Sequence, residues 1–322
     1  MKFQQHAKDA DPRKTTMRLL ERLTYVAAGA PTASDRGDLS GMKYPFFQRF
    51  DSARGLFFTV AFLVATTGSL QADDASSNPV ALVRRASQNE LRSSDGSHPY
   101  RYKLRKVDDG KINTKEIVET RDGDVARLRE WGDKPVPADV NQNEIDRLNN
   151  LLTHPEIQEH RHKREQADSD RANEMIRLLP DAFLYHYEGM VNTPSGPSYR
   201  LSFKPNPNFN PPDREAEVYH GMEGELWIDQ KQERMTKLDA HLIDDVDFGW
   251  GILGKLYKGG SILVEQKDVG NNRWETTHMK LDLHGKALMF KTLTFETVED
   301  ASDFQPVPPG GYQDAVRLLL KK

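Results

Sequence analysis

Lys237-Leu238-Asp239-Ala240-His241-Leu242 alternates a polar side chain with an apolar one at every step. That is the period of a strand with one face buried and the other wet. The same period recurs on both sides. Upstream it appears in Phe183-x-Tyr185-x-Tyr187, Tyr199-x-Leu201-x-Phe203 and Leu226-Trp227-Ile228. Downstream it appears in Ile262-x-Val264, Met279-x-Leu281-x-Leu283, Leu288-x-Phe290 and Leu293-x-Phe295. Turn chemistry separates the runs, at Pro194–Pro197, Pro205–Asp213, Gly259-Gly260, Gly270-Asn271-Asn272 and His284-Gly285. Nearer the N-terminus, Tyr100–Val107 and Ile112–Thr120 flank Asp108-Asp109-Gly110, and Arg121-Asp122-Gly123 turns again. Connections this short join antiparallel strands, because parallel ones need long crossovers. The expected fold is α+β, built on one large curved antiparallel sheet that is apolar on one face and charged on the other. Such a sheet curls around its apolar face, which a helix or a ligand has to cover.

Between the two groups of strands lies a helical insert, residues 141–179. Asn141–Leu152 places Ile145, Leu148, Leu151 and Leu152 at helical spacing. Pro155 opens a second helix, where proline fits the first turn. From Glu156 to Ala172 that helix is almost wholly charged, and Met175, Ile176, Leu178 and Leu179 then restore an apolar face. The pattern predicts a charged helical arm resting on another surface. Residues 73–96 read as a flexible lead-in with a short helix at Pro79–Leu91, and Gln313–Leu320 as a short amphipathic cap.

The chain has 322 residues, 29% of them charged, a formal net charge of −4 and no cysteine. Without cysteine there are no disulfides, cysteine–zinc ribbons, iron–sulfur clusters or thiol catalysis. A mildly acidic chain is a poor dedicated nucleic-acid binder, and a mean hydropathy of −0.73 excludes a polytopic membrane protein. One apolar run stands out: no charge falls between Gly55 and Ala72, Lys43, Arg49 and Arg54 precede the run, and Asp73-Asp74 follow it. This is the pattern of a secretory signal peptide at 42–72, with Met42 as its start and cleavage near Ala72. Residues 1–41 then form a start-site extension, disordered or with a short helix. The competing reading is a retained anchor, for which the run is short of the roughly 20 residues a spanning helix needs. Removing residues 1–72, with ten basic and six acidic side chains, leaves a net −8. A chain so charged has to hold any hydrophobic cargo by apolar area and not by attraction to anionic lipid.

Motifs for catalysis are weak. Asp247-Phe248-Gly249 and Gly249-x-Gly251-x-x-Gly254 spell a kinase tripeptide and a dinucleotide loop, but among antiparallel strands they lack the required strand–turn–helix context. Glu156 and His160 share a helix face, yet Arg161, Lys163 and Arg164 beside them oppose a cation. Asp244, Asp245 and Asp247 form a small acidic cluster without a defined partner. The expectation is no enzyme, no metal and no cofactor; a hydrolase would need polar groups converging in a cleft.

Further segments carry a resemblance. Gly221-Met222-Glu223-Gly224-Glu225-Leu226-Trp227-Ile228-Asp229, Lys237-Leu238-Asp239 and Asp245-Val246-Asp247-Phe248-Gly249, with Phe203-Lys204-Pro205-Asn206-Pro207 upstream, resemble a family of exported bacterial proteins. That family is grouped with the outer-membrane lipoprotein-sorting carriers of the LolA-like superfamily. The resemblance spans roughly 100–307 and brings no catalytic residues. It implies an incomplete β-barrel covered by helices over residues 97–322, holding acyl chains in an apolar cavity, in the periplasm or cell envelope. The insert 141–179 is an addition to that pattern.

The function expected is therefore non-enzymatic binding of a lipid or lipoprotein acyl chain in an apolar groove. The side chains expected to line it are Phe183, Tyr185, Tyr199, Leu201, Phe203, Leu226, Ile228, Leu238, Leu242, Met279, Leu281 and Phe290. The alternative is a sealed core, with the charged arm recruiting an envelope protein partner. Neither nucleic acid nor more than transient membrane contact is expected.

Overall fold

The computed structural model describes residues 75–93, 98–248, 254–287 and 291–321. The expected extension and leader, residues 1–72, lie outside the described residues, as does Phe290. Among the described residues, thirteen strands form one sheet. They are β1 (Tyr100–Asp108), β2 (Lys111–Val118), β3 (Val125–Trp131), β4 (Lys134–Pro135), β5 (Phe183–Thr193), β6 (Gly196–Pro205) and β7 (Met222–Asp229). Then come β8 (Met235–Leu242), β9 (Val246–Phe248), β10 (Gly254–Leu256), β11 (Ser261–Asp268), β12 (Trp274–Ala287) and β13 (Lys291–Pro306). The helices are α1 (Pro79–Ser93), α2 (Ala138–Thr153), α3 (Pro155–Ala182) and α4 (Tyr312–Leu320), with a 3-10 segment at Glu215–Gly221.

Every pairing is antiparallel. Across the sheet the order is β4-β3-β2-β1-β13-β12-β11-β8-β7-β6-β5, with the β9–β10 pair attached to the end of β12. The sheet is thus an open one, with β4 and β5 at its edges. Both edges are guarded: β4 is two residues long and ends in Pro135, and β5 carries a bulge between Tyr187 and Gly189. Short strands, proline and bulges are what keep an open sheet from pairing with its neighbours. The turn expected at Asp109-Gly110 forms with φ of 54° and 72°, both left-handed, which is the two-residue hairpin turn whose twist suits flanking strands.

Helices lie on both faces, where the sequence suggested cover for the apolar face alone. Leu82, Val83 and Ala86 of α1 pack with Ala172, Met175, Leu179 and Ala182 of α3 in the main core. The short helix expected within the lead-in is therefore a core element. On the opposite face, Leu148 and Leu151 of α2 and Val316 and Leu319 of α4 pack on Val118 and Val125. The cause lies in β2 and β3, where Ile117-Val118 and Val125-Ala126 are adjacent apolar pairs. Adjacent side chains point to opposite faces, so both faces there need cover.

The charged arm lies on the protein's own surface. Apart from Pro180, the residues that α3 buries, Gln158, Glu165, Asp168, Ala172, Met175, Leu179 and Ala182, recur at intervals of three, four and once seven, one stripe of the helix. The polar half of the stripe docks on the β2–β3 turn: Gln158 Nε2 donates to the Asp122 carbonyl at 3.0 Å and Arg161 Nη2 to that of Asp124 at 3.3 Å. The apolar half enters the main core. Pro180, expected to follow the helix, sits inside its last turn.

In α2, Glu144 is buried and accepts from the Leu128 amide at 3.0 Å and from Arg147 Nη2 at 2.9 Å. Burial alone would push its carboxyl up, but Arg147 and the Leu128 amide outweigh that and hold it below its ordinary value. A carboxyl lowered on folding contributes stability above its unfolded pKa and loses it as pH falls through the folded one. Glu144→Gln is therefore expected to flatten the acid limb of the stability curve below about pH 4.3, the unperturbed glutamate value. Urea titrations at pH 3 to 7 would show this, and an acid limb parallel to the wild type would contradict it.

Candidate ligand-binding face

The register aligns side chains in rows across one face. The first row runs Tyr187, Leu201, Leu226, Leu238, Val264 and Met279, from β5 to β12. The second runs Tyr185, Phe203, Gly224, Ala240, Ile262 and Leu281. Eleven of the residues expected to line a groove are described, and all lie on this face. Leu201, Leu226, Leu238 and Met279 stand in the first row and Tyr185, Phe203 and Leu281 in the second. Phe183, Tyr199, Ile228 and Leu242 occupy the same face in flanking rows.

Cover over the face is uneven. Phe183, Tyr199, Leu201, Phe203, Leu226, Ile228, Leu242, Met279 and Leu281 are buried. Tyr185, Tyr187 and Leu238 are only partly buried, as is Phe295 on β13. Leu238 is the informative one, because its row neighbours Leu226 and Val264 are 1% and 5% exposed. The cover therefore thins over β8, in the interior of the sheet. Tyrosines fasten the end of α3 to its surroundings: Tyr185 Oη on β5 donates to the Leu179 carbonyl at 2.8 Å, and Tyr219 Oη in the 3-10 segment donates to that of Met175 at 2.9 Å. Burial pushes both phenols well above their ordinary range, so they stay donors.

Beyond β12 the rows change character. The first continues as Glu299 on β13, Lys106 on β1 and Asn113 on β2; the second as Thr297, Asp108 and Lys111. Lys106 Nζ lies 3.2 Å from Glu299 Oε1 and 3.5 Å from Asp108 Oδ2. Thr297 Oγ1 donates to Asp108 Oδ1 at 2.9 Å. Four polar residues thus form a two-by-two block inside the face. On its far side Tyr100, Tyr102, Leu104, Ile117 and Ala126 make a second apolar cluster. The uniform apolar face expected from the sequence is in fact two apolar fields divided by this block. The signal was present: Lys106 and Asp108 continue the phase of Tyr100, Tyr102 and Leu104, and Thr297 and Glu299 that of Leu293 and Phe295.

The remaining motifs resolve simply. Val246–Phe248 and Gly254–Leu256 pair as antiparallel strands, without the helix that a dinucleotide loop needs. Asp245 and Asp247 hold Lys255, at 3.4 and 3.2 Å. Glu156 and His160 are exposed, and among the described residues no group of His, Asp and Glu could hold a metal ion. No described helix is long and apolar enough to cross a membrane.

No family model matches the chain, and no curated protein matches it. Among solved structures it is similar to a DUF1329 family protein from Desulfovibrio piger, at 14% identity and a TM-score of 0.27, over 71% of this chain and 93% of that one. It is similar to an outer membrane lipoprotein-sorting protein domain from Vibrio parahaemolyticus, at 11% identity and a TM-score of 0.30, over 74% and 98%. It is also similar to a LolA superfamily protein from Nitrosomonas europaea, at 10% identity and a TM-score of 0.26, over 71% and 94%.

Proposed function

We propose that the protein is an exported, non-enzymatic carrier that holds the acyl chain of a lipid or lipoprotein against the apolar face of its sheet. The observation that carries this reading is the thin cover over Leu238, between neighbours that are nearly sealed. The superpositions, at their TM-scores, carry no part of it. Transfer of apolar carbon from water contributes about 0.8 kcal/mol per methylene, so a chain seated there is held without a charged clamp. The carrier works in the periplasm or envelope after its leader is cut near Ala72, which N-terminal sequencing of the mature protein tests directly.

The binding test is Leu238→Glu. Leu238 is only partly buried; circular dichroism and urea unfolding check that the variant folds, and a carboxylate on the face is then expected to expel the chain. Protein purified without detergent is expected to carry bound lipid by mass spectrometry, and Leu238→Glu to lose most of it. Leu184→Glu, 44% exposed on the opposite face, is expected to keep it. Lipid absent from the wild type, or equal in both variants, would sink the carrier reading and favour a sealed interaction module.

A further inference from the structure

We propose, resting on the carrier reading, that the cargo's acyl chain is joined to its head by an amide, and that Gln266 on β11 recognises that linkage. Along β11 the residues facing the core are Ile262 and Val264, both buried. Gln266 is the next in that phase, about 7 Å beyond Val264 on the same face. It is partly exposed, yet its Oε1 is shut off from solvent and has no hydrogen-bond partner among the described residues. Val264 pairs with Leu238, where the cover thins. The orphaned oxygen therefore stands at the margin of the thin cover. Solvent reaches the rest of the side chain, so a ligand meets it without unfolding any strand.

Strand pairing is interrupted at the same step. The β11–β12 register shifts between Glu265 and Gln266, so Thr277 has no counterpart on β11. Thr277 Oγ1 is likewise buried without a partner among the described residues. Bulges re-aim side chains and are over-represented next to active sites. A buried acceptor left unpaired carries a cost that a leucine in its place would not, so the glutamine calls for a donor from outside the fold. Its side-chain amide offers one acceptor and two donors. A secondary amide matches it reciprocally: the cargo's N–H donates to Oε1, and Nε2 donates to the cargo's carbonyl. An ester of the same shape supplies the carbonyl but no donor, and leaves Oε1 unpaired. A free carboxylate brings a charge that the apolar surroundings penalise. From Gln266 the acyl chain runs over Val264 and Leu238.

The test uses full-length protein and dioleoyl phosphatidylcholine vesicles doped equally with N-palmitoylglycine methyl ester and its oxygen isostere, methyl palmitoyloxyacetate. Lipid bound to the protein recovered after vesicle removal is extracted and quantified. The wild type is expected to enrich the amide about tenfold over the ester, the effect of one buried acceptor left unpaired. Gln266→Leu and Gln266→Met should lose the preference while total bound probe holds, with urea unfolding as the check on folding. A second doping sets N-palmitoyl-glycyl-serine methyl ester against N-palmitoylsphingosine. Enrichment of either upholds the linkage, the first as an acylated polypeptide and the second as an amide-linked lipid. Wild-type protein that binds the amide and ester in the vesicle's own ratio would overturn the amide assignment and leave the carrier standing. A preference that survives both substitutions would overturn the part given to Gln266. No bound lipid of any kind would overturn the carrier itself.

Discussion

Arg234→Ala is expected to destabilise the fold by about 3–5 kcal/mol, the usual loss when one partner of a buried ion pair is removed. Arg234 and Glu90 have side chains only 8% exposed each and meet through two bonds, Nη2 to Oε2 at 2.7 Å and Nε to Oε1 at 2.9 Å. Glu90 Oε1 also accepts from the Met235 amide at 2.9 Å, and the guanidinium lies 5.9 Å from the Trp274 ring centroid. Around this pair Arg85 meets Glu233 at 2.9 Å, and Asn89 donates to the Gln232 and Glu233 carbonyls. The contacts fix α1 to the β7–β8 turn. Without Arg234 the Glu90 carboxylate is left where water cannot solvate it, and against the 5–15 kcal/mol typical of a domain that is a large loss. Urea unfolding of the single variant should show it, and Glu90→Met with Arg234→Met should recover most of it, since burying no charge avoids the desolvation. A single variant within about 1 kcal/mol of wild type, the range of an exposed pair, would mean that the pair is not sealed.

Gly224→Ala should cost roughly 3 kcal/mol, the upper range for a methyl forced into filled space. A Cβ built there lies 2.0 Å from the Asp239 carbonyl oxygen and 2.8 Å from Ala240 Cα. Both are backbone atoms of the neighbouring strand, so no rotamer change relieves the clash and β7 has to move away from β8. Gly110→Ala supplies the comparison. Nothing lies within 4 Å of a Cβ there, but φ is +72°, so the loss is conformational alone, about 1–2 kcal/mol. Thermal unfolding of the two variants orders them, and equal losses would remove the steric account.

Much of the fold was legible because its strands alternate. Residues 237–242 and 279–283 each declare a buried and a wet side, and their turns are short enough to require antiparallel neighbours. What escaped the reading shares one physical cause, long-range pairing. Nothing local in Tyr100–Asp108 says that it meets Thr297–Pro306 across nearly two hundred residues. Once that register is known, Lys106 and Glu299 fall side by side and the polar block appears. The second helical layer escaped for a related reason. Ile117-Val118 breaks alternation and signals two covered faces, but which helix covers which face depends on α3 rounding the β2–β3 turn. The candidate lining residues were readable as one face from period alone, whereas the thin cover over Leu238 depends on where α1 and α3 come to rest.

The pairing of β1 with β13 also bears on how the chain acquires its structure. The seam near the middle of the sheet is closed by its earliest and latest strands, a contact of high sequence separation that slows folding. Until β13, which begins at Lys291, has been made, β1–β4 and β5–β12 are two greasy fragments with unzipped flanks. A nascent chain that cannot zip itself shut keeps apolar surface open until its last strand arrives, and something has to shield it until then.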